Sequence, residues 1–376
     1  MEAGQAITLA GLSIHILVGL SRAMILFIVS SGLSFVLGVL RVPNVAHGSL
    51  YMIGAFVAHS ISTALGGGST GFWLALFFSP LVVAGISLIA ERSLFCHLYE
   101  REHLMLLLFT FALMLILGDL TKMVWGADYR SIMAPPFLQG SISIFNSPFP
   151  KYNLFLLIIG PLVAIGLWLF SNKTKVGKIA RAAAVDREMV GAIGINVSWV
   201  FAFAFVLGCF LAGLGGALVS PTISVTIGMD HNVIIEAFLI VTIGGLGNMW
   251  GAMTGSLIFG ITQSFGILFW PQFAIVFPYA AILAAIGLIE TQGYTAVLEA
   301  IDTACKAANV RVLGKEKLGG GYALGFPMCS MVVVVPSDGS DNMGSVLWHY
   351  FRFFRGAPWH VLAFDWRGFG KSAPWD

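Results

Sequence analysis

The stretch VGLSRAMILFIVSSGLSFVLGVL at residues 18–40 decides the class of fold, because it is long and apolar enough to cross a bilayer as one helix. A bilayer core takes roughly 20 apolar residues in helical form. No Lys or Arg precedes Arg22, which argues against a cleaved signal peptide. We therefore expect residues 1–16 to form an external segment and the first apolar run to remain as a membrane helix.

Similar apolar stretches follow through the first 290 residues. We expect further spans near 48–65, 72–90, 104–120, 153–170, 199–219, 232–246, 252–270 and 274–289. The two spans joined by GGLGNMWGAMTG are short and could instead be two halves of one broken element. The predicted fold class is an all-α polytopic transmembrane bundle of eight or nine spans, within a domain covering 17–290.

Composition separates this bundle from the rest of the chain. The 376 residues are 58% hydrophobic and 10% charged, but residues 291–376 hold 8 of the 20 Lys/Arg and 7 of the 18 Asp/Glu. The net charge of +2 gives no argument for a nucleic-acid partner. The four cysteines lie far apart, so neither a disulfide framework nor a zinc knuckle is indicated.

The loop charges predict an orientation. Placing 41–47, 91–103 and 171–198 on one side of the membrane collects eight Lys/Arg there. Three remain on the other side, Lys122, Arg130 and Lys151. Because cytoplasmic loops are rich in Lys and Arg, we expect the larger set to be cytoplasmic and the N-terminus to be outside. An odd number of spans would then place the C-terminal tail in the cytoplasm.

The segment 171–198 is basic and rich in alanine, with charged and apolar residues at helical spacing. It predicts a short amphipathic helix that ends near Gly191 and Gly194. Residues on its apolar face would be Ile179, Ala182, Met189 and Ile193. Spacing alone leaves two interpretations open, a solvated loop on the positive side and a docking helix for a cytosolic partner.

Two interrupted apolar segments, 38–54 and 244–255, predict a transport site, because broken membrane helices free backbone groups to meet a ligand. Pro43, Asn44 and His47 would lie near its entrance, although composition alone favours a cytoplasmic turn with Pro43 at its first position and Asn44 as a cap. The row of Gly247, Gly251 and Gly255 is more typical of close helix packing.

Ionisable residues in or near spans are candidates for function, because an unpaired charge is costly there. Those noted are Asp119, Lys122, Asp230 and Glu236. Glu236 is the deepest, and a structural role for it is equally plausible from its position. Asp119 and Lys122 are three residues apart, which favours a local pair.

Motif matches to enzymes and metal sites are rejected. GGGSTG at 66–71 joins two membrane helices and lacks the strand and helix that a nucleotide or hydrolase motif requires. The cluster Cys96, His97, Glu100 and His103 fits no zinc spacing. We expect no catalytic residue, no metal and no cofactor.

Four ordered blocks resemble one family: RVPNVAHGSLYMIGAF at 41–56, WGADYRSI at 125–132, RAAAVDREMVGAIGINV at 181–197 and GMDHNVIIEAFLIVTIGGLGNMWGA at 228–252. Through them, residues 17–285 resemble the permease subunit of branched-chain amino acid ABC importers. The resemblance implies a partner permease, two cytosolic ATPases, an external substrate-binding protein and a bacterial inner membrane.

The resemblance also implies roles for individual residues. Segment 181–194 matches the part expected to touch the ATPase, with candidates Arg181, Asp186, Arg187, Glu188 and Gly194. Candidates for the substrate path are Asn44, His47, Glu236, Gly244, Gly245 and Gly247. The expected function is translocation of a branched-chain or similar small amino acid by alternating access, without covalent chemistry.

Two other functions remain as alternatives. A stand-alone channel or secondary transporter would need no ATPase, and it would usually show paired ionisable groups along a path in the membrane. A membrane-anchored fusion would instead carry its function in the tail.

The tail resembles pieces of two further families. Residues 285–321 resemble the first half of a bacterial microcompartment shell domain. Residues 330–376 resemble the early strands of an α/β-hydrolase, through a turn formed by Asp365, Arg367, Gly368, Gly370 and Ser372. The chain therefore resembles a composite, with incomplete α/β segments at 291–322 and 323–376. We expect these segments to pack poorly and to have no activity.

Overall fold

The computed structural model describes residues 9–40, 43–98, 103–144, 147–245 and 247–269. The predicted span at 274–289 and the segments 291–322 and 323–376 lie outside them. The helices are α1 Leu9–Leu40, α2 His47–Ala64, α3 Gly68–Ser93, α4 His103–Trp125, α5 Lys151–Lys173, α6 Lys175–Val185, α7 Arg187–Ala192, α8 Val197–Val219, α9 Met229–Gly244 and α10 Met249–Phe269. Between α4 and α5, strands β1 Ser141–Ile144 and β2 Ser147–Pro150 form an antiparallel hairpin in which Ser141 lies opposite Pro150.

The helical membrane bundle predicted from the sequence is confirmed. Eight of the nine predicted spans coincide with helices of the described chain. Six helical stretches are long and apolar enough to cross a membrane: Gly11–Leu40, Gly68–His97, Leu104–Trp125, Lys151–Lys173, Val197–Val219 and Met249–Phe269. The helices α2 and α9 have only 18 and 16 residues, so the count of eight or nine spans stays a prediction. Residues 9–16 are helical and continue into the first span, so α1 takes up half of the expected external segment.

Glycines allow the inner helices to touch backbone to backbone. A Cβ added at Gly19 of α1 would lie 2.8 Å from the Gly260 carbonyl oxygen of α10. A Cβ at Gly32 of α1 would lie 2.5 Å from the Gly208 carbonyl oxygen of α8. Small residues at such crossings let membrane helices approach closely, which is how they gain packing energy without a hydrophobic driving force. The core is therefore built around α1 and α8.

The helices α9 and α10 form a tight antiparallel hairpin. Gly244 packs against the backbone of Gly251, and Gly255 packs against the backbone of Ile240. The two helices therefore run in opposite directions. Gly245 ends α9 with a φ of 84°, a conformation that favours glycine. The predicted broken element is therefore two helices folded back on each other.

The bundle has one end where the Lys/Arg-rich segments meet. Arg187 donates a hydrogen bond to the Leu40 carbonyl at the end of α1, at 3.0 Å, and the Arg92 guanidinium lies 3.8 Å from the centre of the Trp199 ring. At the other end, Arg130 forms an isolated β-bridge with Val225. The loops that were predicted to share one side of the membrane thus lie at the same end of the bundle. Which side of the membrane each end faces stays a prediction.

Candidate functional site

The segment before α2 is recessed into the bundle. His47, the first residue of α2, places its Nε2 3.1 Å from the Val29 carbonyl of α1. Val29 lies eleven residues before the end of α1, about 16 Å along the helix axis. Asn44 and His47 are fully buried, and Thr110 of α4 donates to the Pro43 carbonyl. The segment is therefore buried inside the bundle, and the choice between a cytoplasmic turn and the entrance of a transport site stays a prediction.

The chemistry of His47 follows from its partner. A carbonyl oxygen only accepts hydrogen bonds, so Nε2 carries the proton and donates to Val29. Nδ1 is then an acceptor, and it is buried without a hydrogen-bond partner. His47 connects the start of α2 to the middle of α1.

Asn44 faces a small apolar cavity. Its Nδ2 and Oδ1 are both buried without a hydrogen-bond partner. The cavity leaves about 20 Å³ for the centres of water molecules, and its wall includes Leu50, Phe95, Leu113 and Phe205. One water molecule needs roughly 10–15 Å³ by this measure. The cavity therefore has room for about one water molecule but not for an amino acid in this conformation.

Glu236 is paired across two helices. The Arg22 guanidinium of α1 donates through Nη2 to Glu236 Oε1 of α9 at 2.9 Å. The Glu236 side chain is 11% exposed and that of Arg22 is 47% exposed. Gln263 of α10 interacts with the same carboxylate, while its Oε1 is buried without a hydrogen-bond partner. Sequence reasoning named Glu236 and missed Arg22, although a lone arginine inside an apolar run was a visible signal.

Asp230 is held by neighbouring side chains. Ser49 donates to Asp230 Oδ2 at 2.9 Å, and His231 Nδ1 lies 2.9 Å from Oδ1. These contacts stabilise the buried carboxylate, which supports a structural role. The expected pair of Asp119 and Lys122 is wrong, since no ion pair joins them in the described structure. Both residues are exposed, where such pairs are worth little.

The candidate glycines pack at the turn between α9 and α10. A Cβ on Gly38 of α1 would lie 2.5 Å from the Gly247 Cα, and Gly244 touches Gly251. Gly245 has open space around it. The Asn44 cavity is lined by neither Glu236 nor these glycines. In this conformation the candidates for the substrate path thus lie in three separate places: the start of α2, the contact between α1 and α9, and the turn between α9 and α10.

The predicted amphipathic helix is two helices. Asp186 leaves the helical conformation, with φ −143° and ψ 104°, and its Oδ1 accepts a hydrogen bond from the Met189 N–H at 2.9 Å. This carboxylate caps the start of α7, where Glu188 also lies, and negative charge is favourable at a helix N-terminus. Gly194, with φ 83°, lies just beyond the end of α7.

Apolar side chains on this pair of helices are exposed. Val185, Met189 and Ile193 are 83%, 63% and 67% exposed. Ile179 was expected on the same face but is only partly exposed and packs against the core. The predicted apolar face is therefore shifted along the segment and begins near the end of α6. We call Val185, Met189 and Ile193 the coupling face.

Two arginines anchor the coupling face to membrane helices. Arg187 donates to the Leu40 carbonyl and stacks over the Phe201 ring at 4.8 Å. Arg181 donates to the Asn172 Oδ1 of α5 at 3.0 Å. The coupling face is therefore connected directly to α1, α5 and α8.

Metal binding finds no support in the described part of the chain. It contains no group of three or more His, Cys, Asp or Glu side chains arranged to hold a metal ion. Glu100, a member of the rejected cluster, lies outside the described residues.

The tail matches one of the two predicted families. Residues 285–337 match the model of the BMC domain. The carboxysome shell protein CcmK2 of Synechocystis is 42% identical over 62 residues, which are 16% of this chain and 52% of that protein. The shell resemblance is confirmed, and it extends beyond the predicted end at residue 321. The hydrolase resemblance of 330–376 stays a prediction.

One solved structure shows a distant similarity. PsaBC from Streptococcus pneumoniae in complex with Fab aligns with 72% of this chain and 87% of that one, at 16% identity. The TM-score of 0.39 is too low to support an inference about this chain.

The membrane region matches a single family model. Residues 15–286 match the branched-chain amino acid transport system / permease component. The permease protein BraD of Pseudomonas aeruginosa is 28% identical over 267 residues, covering 66% of this chain and 84% of BraD. LivH of Escherichia coli is 28% identical over 256 residues, covering 63% of this chain and 80% of LivH. The chain therefore belongs to the family of branched-chain amino acid transport permease components.

Proposed function

We propose that this chain is the permease subunit of an ABC importer for branched-chain or similar small amino acids, driven by a separate cytosolic ATPase. The curated relatives are high-affinity branched-chain amino acid transport permeases by name. The chain itself performs no covalent step in this proposal. Its task is to open a path alternately to the two sides of the membrane.

The coupling face is the observation that carries the ATPase assignment. Three large apolar side chains are mostly exposed on a connection between two membrane helices that also holds Arg181, Arg187 and Glu188. Apolar groups with a charged rim are typical of protein interfaces. The occupant we propose is a groove of the ATPase, which would bury Met189 and Ile193 and meet the surrounding charges.

A continuous set of contacts leads from the coupling face to the path candidates. Arg187 bonds the end of α1, and α1 in turn contacts His47 through Val29 and Glu236 through Arg22. A shift of α6 and α7 on ATP binding would therefore act first on α1. This route supports alternating access in which α1 moves relative to α2 and α9.

The remaining partners and the orientation are part of the same proposal. A second related permease would pair with this chain in the bacterial inner membrane, among its lipids, and an external binding protein would deliver the amino acid. The N-terminus would be outside and the tail cytoplasmic. The positive-inside rule supports this direction, since the coupling face lies at the Lys/Arg-rich end.

The substrate path would include Asn44, His47, Glu236 and the turn of Gly244, Gly245 and Gly247. Recessed backbone at 43–45, before α2 begins, supports this placement, because non-helical backbone is tolerated at membrane depth only inside protein or beside a cavity. The small cavity at Asn44 would have to widen for an amino acid to pass.

The docking test compares two exposed methionines at opposite ends of the bundle. Met189 is 63% exposed on the coupling face, and Met133 is 81% exposed near the Arg130–Val225 bridge. We expect Met189→Asp to abolish co-purification of a branched-chain importer ATPase and Met133→Asp to leave it intact. The same pull-down with a chain truncated after residue 290 shows whether the tail obstructs docking.

The transport test measures uptake of radiolabelled leucine into proteoliposomes containing the assembled complex. Uptake should require both the ATPase and ATP. Uptake by the chain alone would contradict the proposal and support a channel or secondary transporter. Equal ATPase binding by both methionine variants would contradict the assigned docking face.

A further inference from the structure

An arginine lies in the N-terminal part of the first membrane helix, where the hydroxyl of the preceding Ser21 donates to the Asn153 carbonyl near the start of α5. Arg22 lies about 16 Å from Gly11 and about 27 Å from Leu40 along the apolar stretch of α1. The hydrocarbon core of a bilayer is about 30 Å thick, while this stretch is about 45 Å long. Suppose that the helix is upright and that the hydrocarbon core lies wholly within this apolar stretch. Arg22 is then inside the hydrocarbon core at every possible height of the helix. Its charge is therefore at membrane depth.

Three helices each contribute one polar side chain at this level. Arg22 of α1 bonds Glu236 of α9, and Gln263 of α10 interacts with the same carboxylate. The buried Gln263 Oε1 has no hydrogen-bond partner. A guanidinium has five N–H donors, and the bond to Glu236 uses one of them. The cluster thus offers further donors on the exposed Arg22, and Gln263 Oε1 is an acceptor that becomes accessible when the neighbouring groups move.

The cluster opens toward the outside of the isolated chain. The Arg22 side chain is 47% exposed, and Val18, one turn earlier on the same face, is 38% exposed. A charge facing lipid tails at this depth is costly. This face is therefore more stable against protein or water than against lipid tails.

We propose that Arg22, Glu236 and Gln263 bind the charged backbone of a zwitterionic amino acid on its way through the permease. This inference rests on the proposed transport function and specifies its substrate contact. The carboxylate would accept hydrogen bonds from Arg22, and the ammonium would donate to Glu236 and to Gln263 Oε1. Val18 would contact an aliphatic side chain.

Charge balance favours a zwitterion over a singly charged solute. Arg22 and Glu236 together are neutral, so a bound carboxylate or amine alone would leave one unmatched charge at low dielectric. A zwitterion adds no net charge and places each of its groups beside an opposite one. The site therefore selects molecules that carry both groups close together.

The ligand chemistry is tested without the external binding protein. The permease–ATPase complex in nanodiscs is heated with leucine, with 4-methylpentanoate, which lacks the ammonium, or with isoamylamine, which lacks the carboxylate. Leucine should raise the melting temperature, and the other two should not do so at tenfold higher concentration. A complex that transports leucine but shows no leucine-dependent shift, or an equal shift with either half-molecule, would overturn the site.

The role of the residues is tested by exchanging the two charges. Arg22→Gln should lower the rate of leucine uptake about 10- to 100-fold, the effect of losing hydrogen bonds to a charged group, while assembly with the ATPase is retained. The double variant Arg22→Glu with Glu236→Arg rebuilds an ion pair between α1 and α9. It should assemble normally and still fail to transport.

The outcomes separate this inference from the proposed function. Normal uptake by the charge-exchanged variant would show that the pair only joins two helices and would overturn the site alone. Absence of ATP-dependent amino acid uptake by the unmodified complex would overturn the proposed function and this inference with it. Lys122→Gln, which removes an exposed charge on α4, is the control and should transport at the unmodified rate.

Discussion

The inner helices α1 and α8 and the outer helices α4 and α5 are almost equally apolar, yet they occupy different surroundings. In the most apolar window of each helix, 89% and 56% of the residues of α1 and α8 are buried, against 22% and 17% for α4 and α5. In a membrane, lipid is as apolar as a protein core. Hydropathy therefore identifies a span without showing whether it faces protein or lipid.

Glycine distinguishes the two classes. In α8, Cβ atoms added at Gly208, Gly213 or Gly216 would lie within 3.0 Å of neighbouring helices. In α4 and α5, Gly118 and Gly166 have nothing within 4 Å of such an atom. Gly160 of α5 is different, because it faces Met24 of α1 on the inner side of that helix. A glycine therefore contributes to helix packing only where it contacts a neighbouring helix.

The largest expected effect comes from breaking an inner crossing. A Cβ at Gly216 would clash with the Tyr51 carbonyl oxygen, so Gly216→Leu forces α2 and α8 apart. We expect a loss of about 4 kcal/mol or more, at the severe end for overpacking. Size-exclusion chromatography in detergent should show little monodisperse protein. The outer variant Gly118→Leu is the control, and equal yields of the two would contradict the comparison.

A smaller loss is expected at the recessed start of α2. His47→Ala removes the hydrogen bond to the Val29 carbonyl and leaves a cavity in a fully buried place. We expect a destabilisation of about 2–4 kcal/mol, measured by thermal unfolding in detergent. His97→Ala, in an exposed turn at the end of α3, should change the melting temperature much less. Equal shifts for the two variants would show that His47 does not hold α2 to α1.

Sequence reasoning found the spans because a membrane helix is a local feature of about 20 residues. Eight of the nine predicted stretches are helical, and the ninth lies outside the described residues. The break at Asp186 was harder to see, since the flanking stretch has continuous helical spacing. A capping aspartate followed by an acidic first turn with Glu188 was the available signal.

The contents of the candidate site could be predicted only in part. Glu236 was identified by its depth, but its partner Arg22 is 214 residues away, and no local pattern joins them. The recess at Asn44 and His47 depends on the return of the chain beside α1, which is a tertiary feature. Conversely, the close packing of Gly251 and Gly255 in α10 followed from their spacing, whereas Gly247 lies in the turn before that helix.

A modest effect is expected where an outer helix is tied to an inner one. The Tyr152 hydroxyl of α5 donates to the Leu218 carbonyl of α8 at 2.7 Å. Tyr152→Phe keeps the ring and removes this bond, so we expect a loss of about 1 kcal/mol in thermal unfolding. A loss as large as that of His47→Ala would mean that α5 contributes to the core as much as α2 does.

The smallest effect is expected at the outermost glycine positions. Gly118→Ala adds a methyl group to α4 where nothing lies within 4 Å, so the only change inside the chain is the higher helix propensity of alanine, worth about 0.5–1 kcal/mol in favour of folding. Thermal unfolding of the isolated chain should therefore be unchanged or slightly improved. Co-purification with a second permease gives the more informative measurement. If the larger Gly118→Leu lowers that association while the isolated chain stays intact, the outer face of α4 contacts the partner permease and only part of the outer layer faces lipid.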